Sequence, residues 1–267
     1  MEHSWSQAGA TSAAASVVGS SAIGRIDFMS GSCALVTGAS NGIGKEIARQ
    51  LAGAGLTVYI GSRTVERGRR AVDEIDGDAR LLVLDVTDAG SIAEAAALVE
   101  ALDVLVNNAG VMVDGRPATE ADTDSFRRTY ETNVFGVVAV TNAFLPVLRR
   151  SAHPRIVNVS SGTGSLEWSS APNPQFNHET AGSAAAYRSS KTALNALTVY
   201  YAQALAAEGF KVNALAPGLR ATDLNARAAA SGGDPAEAAA GAVRLALLPD
   251  DGPSGQFFSW DGTAAPW

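Results

Sequence analysis

The 267-residue chain has little of several features that mark common protein classes. Its single cysteine, Cys33, excludes an internal disulfide framework and is typical of a reducing compartment. The three histidines, at positions 3, 153 and 178, show no metal-ligand spacing, so we expect no metal site. The net charge is −7 and the basic residues are scattered, which argues against nucleic acid as a partner.

Long apolar runs are also missing. No uncharged apolar run approaches the roughly 20 residues that a membrane span needs, so we expect no membrane partner. Residues 1–30 are rich in Ser, Ala and Gly, and their start lacks the positive charge of a secretory signal. We expect a flexible tail over residues 1–30, one domain over residues 31–267, and a cytoplasmic protein.

What the chain does contain is an alternation of short apolar runs and helical patterns. With 46% hydrophobic residues and 27 glycines, it fits a parallel α/β protein. The pattern predicts strands at 33–37, 57–60, 81–84, 104–106, 156–159, 211–215 and 256–259. It predicts helices at 43–54, 65–75, 91–101, 122–150, 184–207 and 235–248, with Pro146 as a late kink. The fold class is therefore α/β: a single-domain Rossmann fold whose doubly wound parallel sheet of about seven strands carries helices on both faces.

A glycine-rich stretch joins the first strand to the first helix. It reads Gly38-Ala39-Ser40-Asn41-Gly42-Ile43-Gly44. Glycines at such a junction let backbone amides approach a pyrophosphate at the helix N-terminus, although three glycines there could also be plain turn chemistry. Together with the flanking strand and helix, the stretch predicts a dinucleotide-binding loop of Gly38, Ser40, Asn41, Gly42, Ile43 and Gly44.

The residues after the second strand indicate which dinucleotide. A Rossmann unit that binds NAD(H) usually has a carboxylate here for the ribose 2′-hydroxyl, but this chain has Arg63 and, one turn later, Arg67. Guanidinium groups suit a 2′-phosphate, so the pair predicts NADP(H), with NAD(H) as the alternative. The two arginines could also be ordinary surface charges.

Tyr187 and Lys191 lie four residues apart on one predicted helix face. A free phenol titrates near pH ~10, and a nearby cation favours the phenolate. We expect Lys191, together with a bound cationic cofactor, to lower the pKa of Tyr187.

With the glycine loop, Asn107-Asn108-Ala109-Gly110, Ser160-Ser161 and Tyr187/Lys191 all in order, the chain resembles the short-chain dehydrogenase/reductase family. The resemblance runs from about Cys33 to Ser259. Within the family the chain is most similar to the carbonyl-reductase-type members, because of Arg63/Arg67, the enlarged segment before Tyr187 and the ending Gly255-Gln256-Phe257-Phe258.

The resemblance implies a catalytic set of Asn133, Ser161, Tyr187 and Lys191. Tyr187 would be the general acid, Lys191 would lower its pKa and bind the nicotinamide ribose, and Ser161 would hydrogen-bond the carbonyl. Asn133 would hold a water that links Lys191 to solvent. The resemblance also implies further cofactor contacts from Asp85, Val86, Asn107, Ala109, Gly110, Pro217, Gly218 and Thr222.

Each of these residues has a structural alternative. Asn107–Gly110 could be a strand-ending turn, Asn133 an exposed helix residue, and Asp85 the cap of the next helix. The chain also departs from the family pattern, since Ser161 and Tyr187 are about twice as far apart as usual. The extra segment, roughly Glu167 to Gly182, predicts a loop beside the active site. Trp168 and Phe176 would shape an apolar substrate pocket, or the segment would be a surface flap.

The resulting expectation is an NADPH-dependent reductase of a small-molecule aldehyde or ketone. The alternatives are a secondary-alcohol dehydrogenase that works oxidatively and a non-catalytic dinucleotide-sensing protein on the same fold. Family members commonly form dimers or tetramers through the long helices. An added loop beside one of them would block that contact, which favours a monomer over a homo-oligomer.

Overall fold

Seven parallel strands form the centre of the molecule in the computed structural model, which describes residues 31–170 and 182–267. In chain order they are β1 (Cys33–Val36), β2 (Thr57–Ser62), β3 (Ala79–Val83), β4 (Val104–Asn107), β5 (Arg155–Val159), β6 (Lys211–Ala216) and β7 (Phe257–Ser259). Their spatial order is β3-β2-β1-β4-β5-β6-β7. The order reverses between β1 and β4, where a doubly wound sheet opens a crevice at its carboxyl edge.

Helices connect the strands and cover both faces of the sheet. They are α1 (Gly42–Gly53), α2 (Val65–Asp73), α3 (Ala89–Leu98), α4 (Thr123–Tyr130), α5 (Gly136–Leu148), α6 (Leu166–Ser170), α7 (Ala185–Ala204), α8 (Ala226–Ala229) and α9 (Pro235–Ala246). Alternate residues of β1 face opposite ways: Ala34 and Val36 pack with α1, α2 and α9, while Leu35 packs with α3, α5 and α7. Strands buried on both faces explain the near-continuous apolar runs of the sequence. The sequence-based fold class is confirmed.

The predicted helix at 122–150 is interrupted. Between α4 and α5 the chain forms a π turn, Glu131–Phe135, with Asn133 fully buried at its centre. Such turns often mark functional sites. The combined span Thr123–Leu148 is long and apolar enough to cross a membrane by length and composition, but half of its apolar window is buried inside the fold. Core helices of soluble proteins have the same property, so it is weak evidence for a membrane.

Backbone hydrogen bonds hold both borders of the enlarged segment before Tyr187. On the early side, the Glu167 amide donates to the Trp267 carbonyl at 3.1 Å. On the late side, the Ala118 amide donates to Gly182 O at 2.9 Å, and Ala184 N donates to Arg116 O at 3.0 Å. The tail of residues 1–30 and Phe176 lie outside the described residues.

Candidate active site

The glycine-rich loop after β1 forms a concave backbone surface. Gly38 has φ +62°, and a Cβ there would lie 2.9 Å from Ala109 Cα; a Cβ on Gly44 would lie 2.6 Å from the carbonyl oxygen of Gly38. Asn41 precedes α1, but its side chain does not cap the helix. It donates instead to Asp223 Oδ2 at 2.9 Å. The first amides of α1 therefore have no side-chain cap, which fits a pyrophosphate at this helix N-terminus.

The far end of the same cleft is lined by Arg63, Arg67 and Asp85. Both arginines are exposed, and neither makes an ion pair within the described residues. Asp85 does not cap the following helix: Asp88 does, accepting from Ser91 N at 2.6 Å. The Asp85 carboxylate accepts from the amide and hydroxyl of Thr87 at 2.9 and 2.7 Å. The two arginines fit a ribose 2′-phosphate, whereas the fixed Asp85 carboxylate suits a hydrogen-bond donor such as the adenine amino group.

Ser161 and Tyr187 are brought together although 26 positions separate them in the chain. Ser161 follows β5 and Tyr187 lies in the first turn of α7, and the Ser161 side chain is near enough to the phenol to act on the pKa of Tyr187. The Ser161 hydroxyl is also 2.9 Å from Thr163 Oγ1, a residue that sequence reasoning did not single out. Ser161 and Tyr187 both line the cleft, so a carbonyl oxygen bound between them could accept a hydrogen bond from each hydroxyl.

Lys191 is buried, with 4% of its surface exposed, one helical turn after Tyr187. Its ammonium donates to the carbonyl oxygen of Val159 at 2.8 Å and lies 5.8 Å from the centre of the Tyr187 ring. Burial lowers the pKa of Lys191 to about 8, because a low-dielectric site disfavours the charged form.

The expected lowering of the Tyr187 pKa is not produced by the protein residues. Burial raises the pKa of the phenol, and the hydrogen bond from Ser161 opposes that shift without overcoming it. The ammonium of Lys191 is aimed at Val159 O rather than at the phenol oxygen, so desolvation decides the sign.

Asn133 lies behind the cleft rather than in its wall. Its side chain accepts from Val111 N at 2.8 Å and donates to Val111 O at 2.9 Å and to Ser190 Oγ at 3.0 Å. A Cβ on the neighbouring Gly110 would lie 3.4 Å from Asn133 Oδ1 and 3.5 Å from Lys191 Nζ. The structure thus gives Asn133 a clamping contact with the segment after β4; its water-holding role stays a prediction.

The side chain of Asn107 points away from the cleft, contrary to the cofactor contact that the resemblance implies. It is 2% exposed, and its amide donates to Asn158 Oδ1 at 2.9 Å and to Thr141 Oγ1 at 3.1 Å. These bonds point its side chain into the interior between β4 and β5, away from the cleft. The next residue, Asn108, lines the cleft instead, and its amide bonds to Thr37 O at 2.9 Å.

The remaining predicted site residues share one cleft of about 860 Å³ at the carboxyl edge of the sheet. They are Gly38, Ser40, Asn41, Gly42, Ile43, Gly44, Arg63, Arg67, Asp85, Val86, Ala109, Gly110, Ser161, Tyr187, Lys191, Pro217, Gly218 and Thr222.

Trp168 does not shape this cleft. Its ring packs against Phe257 with centroids 6.5 Å apart, and Phe257 stacks on Trp267 at 5.5 Å. Trp168 belongs to a small core cluster with Ala214 and Ala216. The hypothesis that Trp168 and Phe176 help shape the substrate pocket is therefore wrong for Trp168, whose ring stabilises the segment that follows Ser161, and for Phe176 it lies outside the described residues.

The family model for short chain dehydrogenase matches residues 32–231. This chain belongs to the short-chain dehydrogenase family. As a member, it is an oxidoreductase of carbonyl and hydroxyl groups, and the family binds NAD(P)(H).

Known relatives match over most of their length. The chain is 34% identical to salutaridine reductase of Papaver bracteatum, over 85% of this chain and 93% of that protein. It is 35% identical to (−)-isopiperitenone reductase of Mentha piperita, over 87% and 97%. Among solved structures, NADPH-bound carbonyl reductase from chicken fatty liver has a TM-score of 0.77 at 26% identity, covering 90% of this chain and all of that one.

Proposed function

We propose that this short-chain dehydrogenase reduces a ketone or aldehyde to an alcohol with NADPH, and that Tyr187 is its general acid. The observation that carries the proposal is that Ser161, Tyr187 and the buried Lys191 line one cleft, with the Lys191 ammonium 5.8 Å from the centre of the Tyr187 ring. Two relatives named as reductases and an NADPH-bound structural neighbour support it.

The residues of the cleft fit the cofactor. The uncapped N-terminus of α1 would hold the pyrophosphate, and Arg63 and Arg67 would hold the 2′-phosphate. Pro217 and Gly218 would flank the nicotinamide ring. When bound, the reduced cofactor supplies a hydride to the carbonyl carbon.

Side chains of the cleft hydrogen-bond and protonate the carbonyl oxygen of the substrate. Ser161 and Tyr187 both donate to it, and Tyr187 passes its proton as negative charge develops. The ammonium of Lys191, held by Val159 O, offsets the charge left on the phenol. Asn133 keeps the Val111 segment in place beside Lys191. Because burial raises the pKa of Tyr187, the phenol is protonated at neutral pH and ready to act as an acid.

Oxidation of a secondary alcohol is the second candidate. The same residues would serve, with Tyr187 as base, and one relative at 35% identity is (+)-neomenthol dehydrogenase of Arabidopsis thaliana. The phenol that gives its proton in reduction takes it back in oxidation, so the raised pKa of Tyr187 does not choose between the two directions.

The test is cofactor oxidation with NADPH and NADH side by side, across aldehydes, ketones and quinones. We expect turnover with NADPH that disappears in Tyr187→Phe. Replacing Arg63 and Arg67 by Gln lowers kcat/KM for NADPH by about tenfold or more, whereas Arg69→Gln, at an exposed arginine of α2, changes it little. Faster turnover with NADH contradicts the cofactor assignment. Cofactor binding without turnover of any carbonyl compound supports the oxidative or the sensing function.

A further inference from the structure

A buried arginine that the reaction does not use lies in the wall of the same cleft. Arg220 follows Gly218 by two residues and is 8% exposed. Its Nη1 atom is 3.2 Å from the Glu237 carboxylate on α9, and its guanidinium carbon lies 4.4 Å from the centre of the Trp260 ring. The guanidinium is thus held on one edge by an acid and on one face by an indole.

The opposite edge of this guanidinium has no hydrogen-bond partner among residues 31–170 and 182–267. Nε and Nη2 of Arg220 are both buried, and neither makes a hydrogen bond with any residue of the described chain. Nη2 lies against Gly218, 3.5 Å from where a Cβ on that glycine would be. Buried donors without acceptors are costly, so an unfilled edge on a buried cation needs an explanation.

Elsewhere in this protein the same edge binds carboxylates. Arg80 donates through Nε and Nη2 to the two oxygens of Asp78 at 2.9 and 2.8 Å. Arg149 does so to Glu208 at 2.7 and 3.0 Å. Two parallel N–H donors match the two oxygens of a carboxylate in geometry and charge. The free edge of Arg220 is therefore shaped for a planar oxyanion.

The charges around the cleft also favour an anionic ligand. Although the chain carries a net charge of −7, cations outnumber carboxylates around the cleft as a whole, and Arg188, Arg220 and Arg227 remain when the residues assigned to the cofactor and to Tyr187 are set aside. The Asp223 carboxylate is bonded to Asn41, on the side of the glycine-rich loop. The ionised side chains that line the cleft are Arg63, Arg67, Arg188, Lys191, Arg220 and Arg227 against Asp85 and Asp223.

We propose that the carbonyl substrate carries a carboxylate and that Arg220 binds it through Nε and Nη2. This inference rests on the proposed function, and it names the substrate class as an oxo acid or another carbonyl compound with an acidic group. Because both nitrogens are covered, the carboxylate reaches them only when neighbouring chain moves. Gly218 lies beside Nη2, and the bond from Ala221 N to Gly233 O at 2.8 Å holds the chain that follows Arg220. Glu237 and Trp260 keep the guanidinium in place meanwhile.

The experiment compares pairs of carbonyl substrates that differ only in whether the carboxylate is free or methylated. Para-formylbenzoate is measured against its methyl ester, and a short oxo acid against its methyl ester, with NADPH at saturation. We expect the wild type to favour the acid by about tenfold or more in kcat/KM, because a site built for a hydrogen-bonding group rejects its neutral analogue. Arg220→Met lowers the acid-to-ester ratio about tenfold or more, mainly through the KM of the acid.

Two further variants make the result specific. Glu237→Gln removes the competing charge at Nη1 and keeps an acceptor there, so the acid-to-ester ratio rises by about threefold or more. This variant also serves if Arg220→Met fails to fold. Arg149→Gln, which breaks a comparable fork on the surface, leaves the ratio unchanged.

Binding separates failure of this inference from failure of the proposed function. The corresponding hydroxy acid and its methyl ester are titrated into the NADP⁺-loaded protein by calorimetry, which needs no turnover. Tighter binding of the acid that is lost in Arg220→Met supports the inference even if no carbonyl compound is reduced. Turnover of esters and acids alike, with an unchanged ratio in Arg220→Met, overturns the inference and leaves the reductase intact. A variant whose only change is a higher KM for NADPH assigns the fork to a cofactor phosphate and also overturns it.

Discussion

Gly164 lies against the backbone of Lys191 with no space for a side chain. A Cβ on Gly164 would come within 2.8 Å of the Lys191 carbonyl carbon and 2.9 Å of its Cβ. On the same side, Thr192 Oγ1 donates to the Gly164 carbonyl oxygen at 2.9 Å. Gly164 ends the short turn that begins after Ser161, so this contact sets how closely Ser161 approaches the helix of Tyr187.

We expect Gly164→Ala to lower kcat by about tenfold or more, because the added methyl group pushes the turn away from α7 and small misplacements of reacting groups are expensive. Steady-state kinetics with saturating cofactor measures this. Gly53→Ala is the matched control, since a Cβ there would meet no atom within 4 Å among the described residues outside its own stretch of α1. Wild-type kcat in Gly164→Ala would show that Ser161 is positioned by other contacts.

We expect the rate of reduction to depend on pH through the charge on the Lys191 ammonium. Its pKa of about 8 means that the ammonium is charged below that pH and neutral above it. Since the charge offsets the phenolate left after proton transfer, kcat/KM should fall as the pH rises past about 8. Lys191→Arg keeps a charge throughout, so any remaining activity should lack this fall. A wild-type profile that is flat from about pH 7 to about pH 10 would contradict the assignment.

At the opposite edge of the sheet, Arg155 and Asp250 give a prediction about stability. Arg155 is 1% exposed and donates to Leu248 O at 2.9 Å and to Asp250 Oδ1 at 2.6 Å. Asp250→Asn should lower the free energy of unfolding at neutral pH by about 1 kcal/mol, a small value because the Asp250 side chain is 61% exposed and screened. Urea unfolding measures it, with the adjacent exposed Asp251→Asn as control.

The lowered pKa of Asp250 determines how the stabilisation from the Arg155–Asp250 pair changes with pH. The hydrogen bond from Arg155, with that of His153, lowers the pKa of Asp250 below its ordinary value. The stabilisation is therefore present above the unfolded-state pKa of about 4, and it is lost as the pH falls through the lower folded-state value. The difference between Asp250→Asn and the wild type should shrink in acid. If the free energies of unfolding of Asp250→Asn and the wild type differed by the same amount at neutral pH and in acid, the ion pair could not be the source of the difference.

Sequence alone predicts the alternation of strands and helices well, because each strand is buried on both faces and each helix carries an apolar stripe. The first strand, ending at Val36, and the glycine-rich turn into α1 are examples. Local signals of this kind come from neighbours in the chain. The grouping of Ser161, Tyr187 and Lys191 is expected once the order of motifs is recognised.

Features set by contacts across the sheet could not be predicted in the same way. The side chain of Asn107 turns inward because β4 and β5 place it opposite Asn158, and strand register is invisible in one sequence. The π turn at Asn133 depends on its bonds to Val111, 22 positions earlier. Arg220 meets Glu237 and Trp260 only after folding, and its sole sequence signal is a charged residue next to the Pro217-Gly218 pair.

The backbone hydrogen bonds at the borders of the enlarged segment affect which substitutions this protein can accept. One border is tied to Trp267, and the other to Arg116 and Ala118 by the bonds of Ala184 and Gly182. Since each tie is made by backbone groups, the bonds do not depend on the side chains at Glu167, Arg116 or Ala118. Substitutions at these border positions can therefore accumulate while the anchors of Ser161 and of the helix of Tyr187 stay in place.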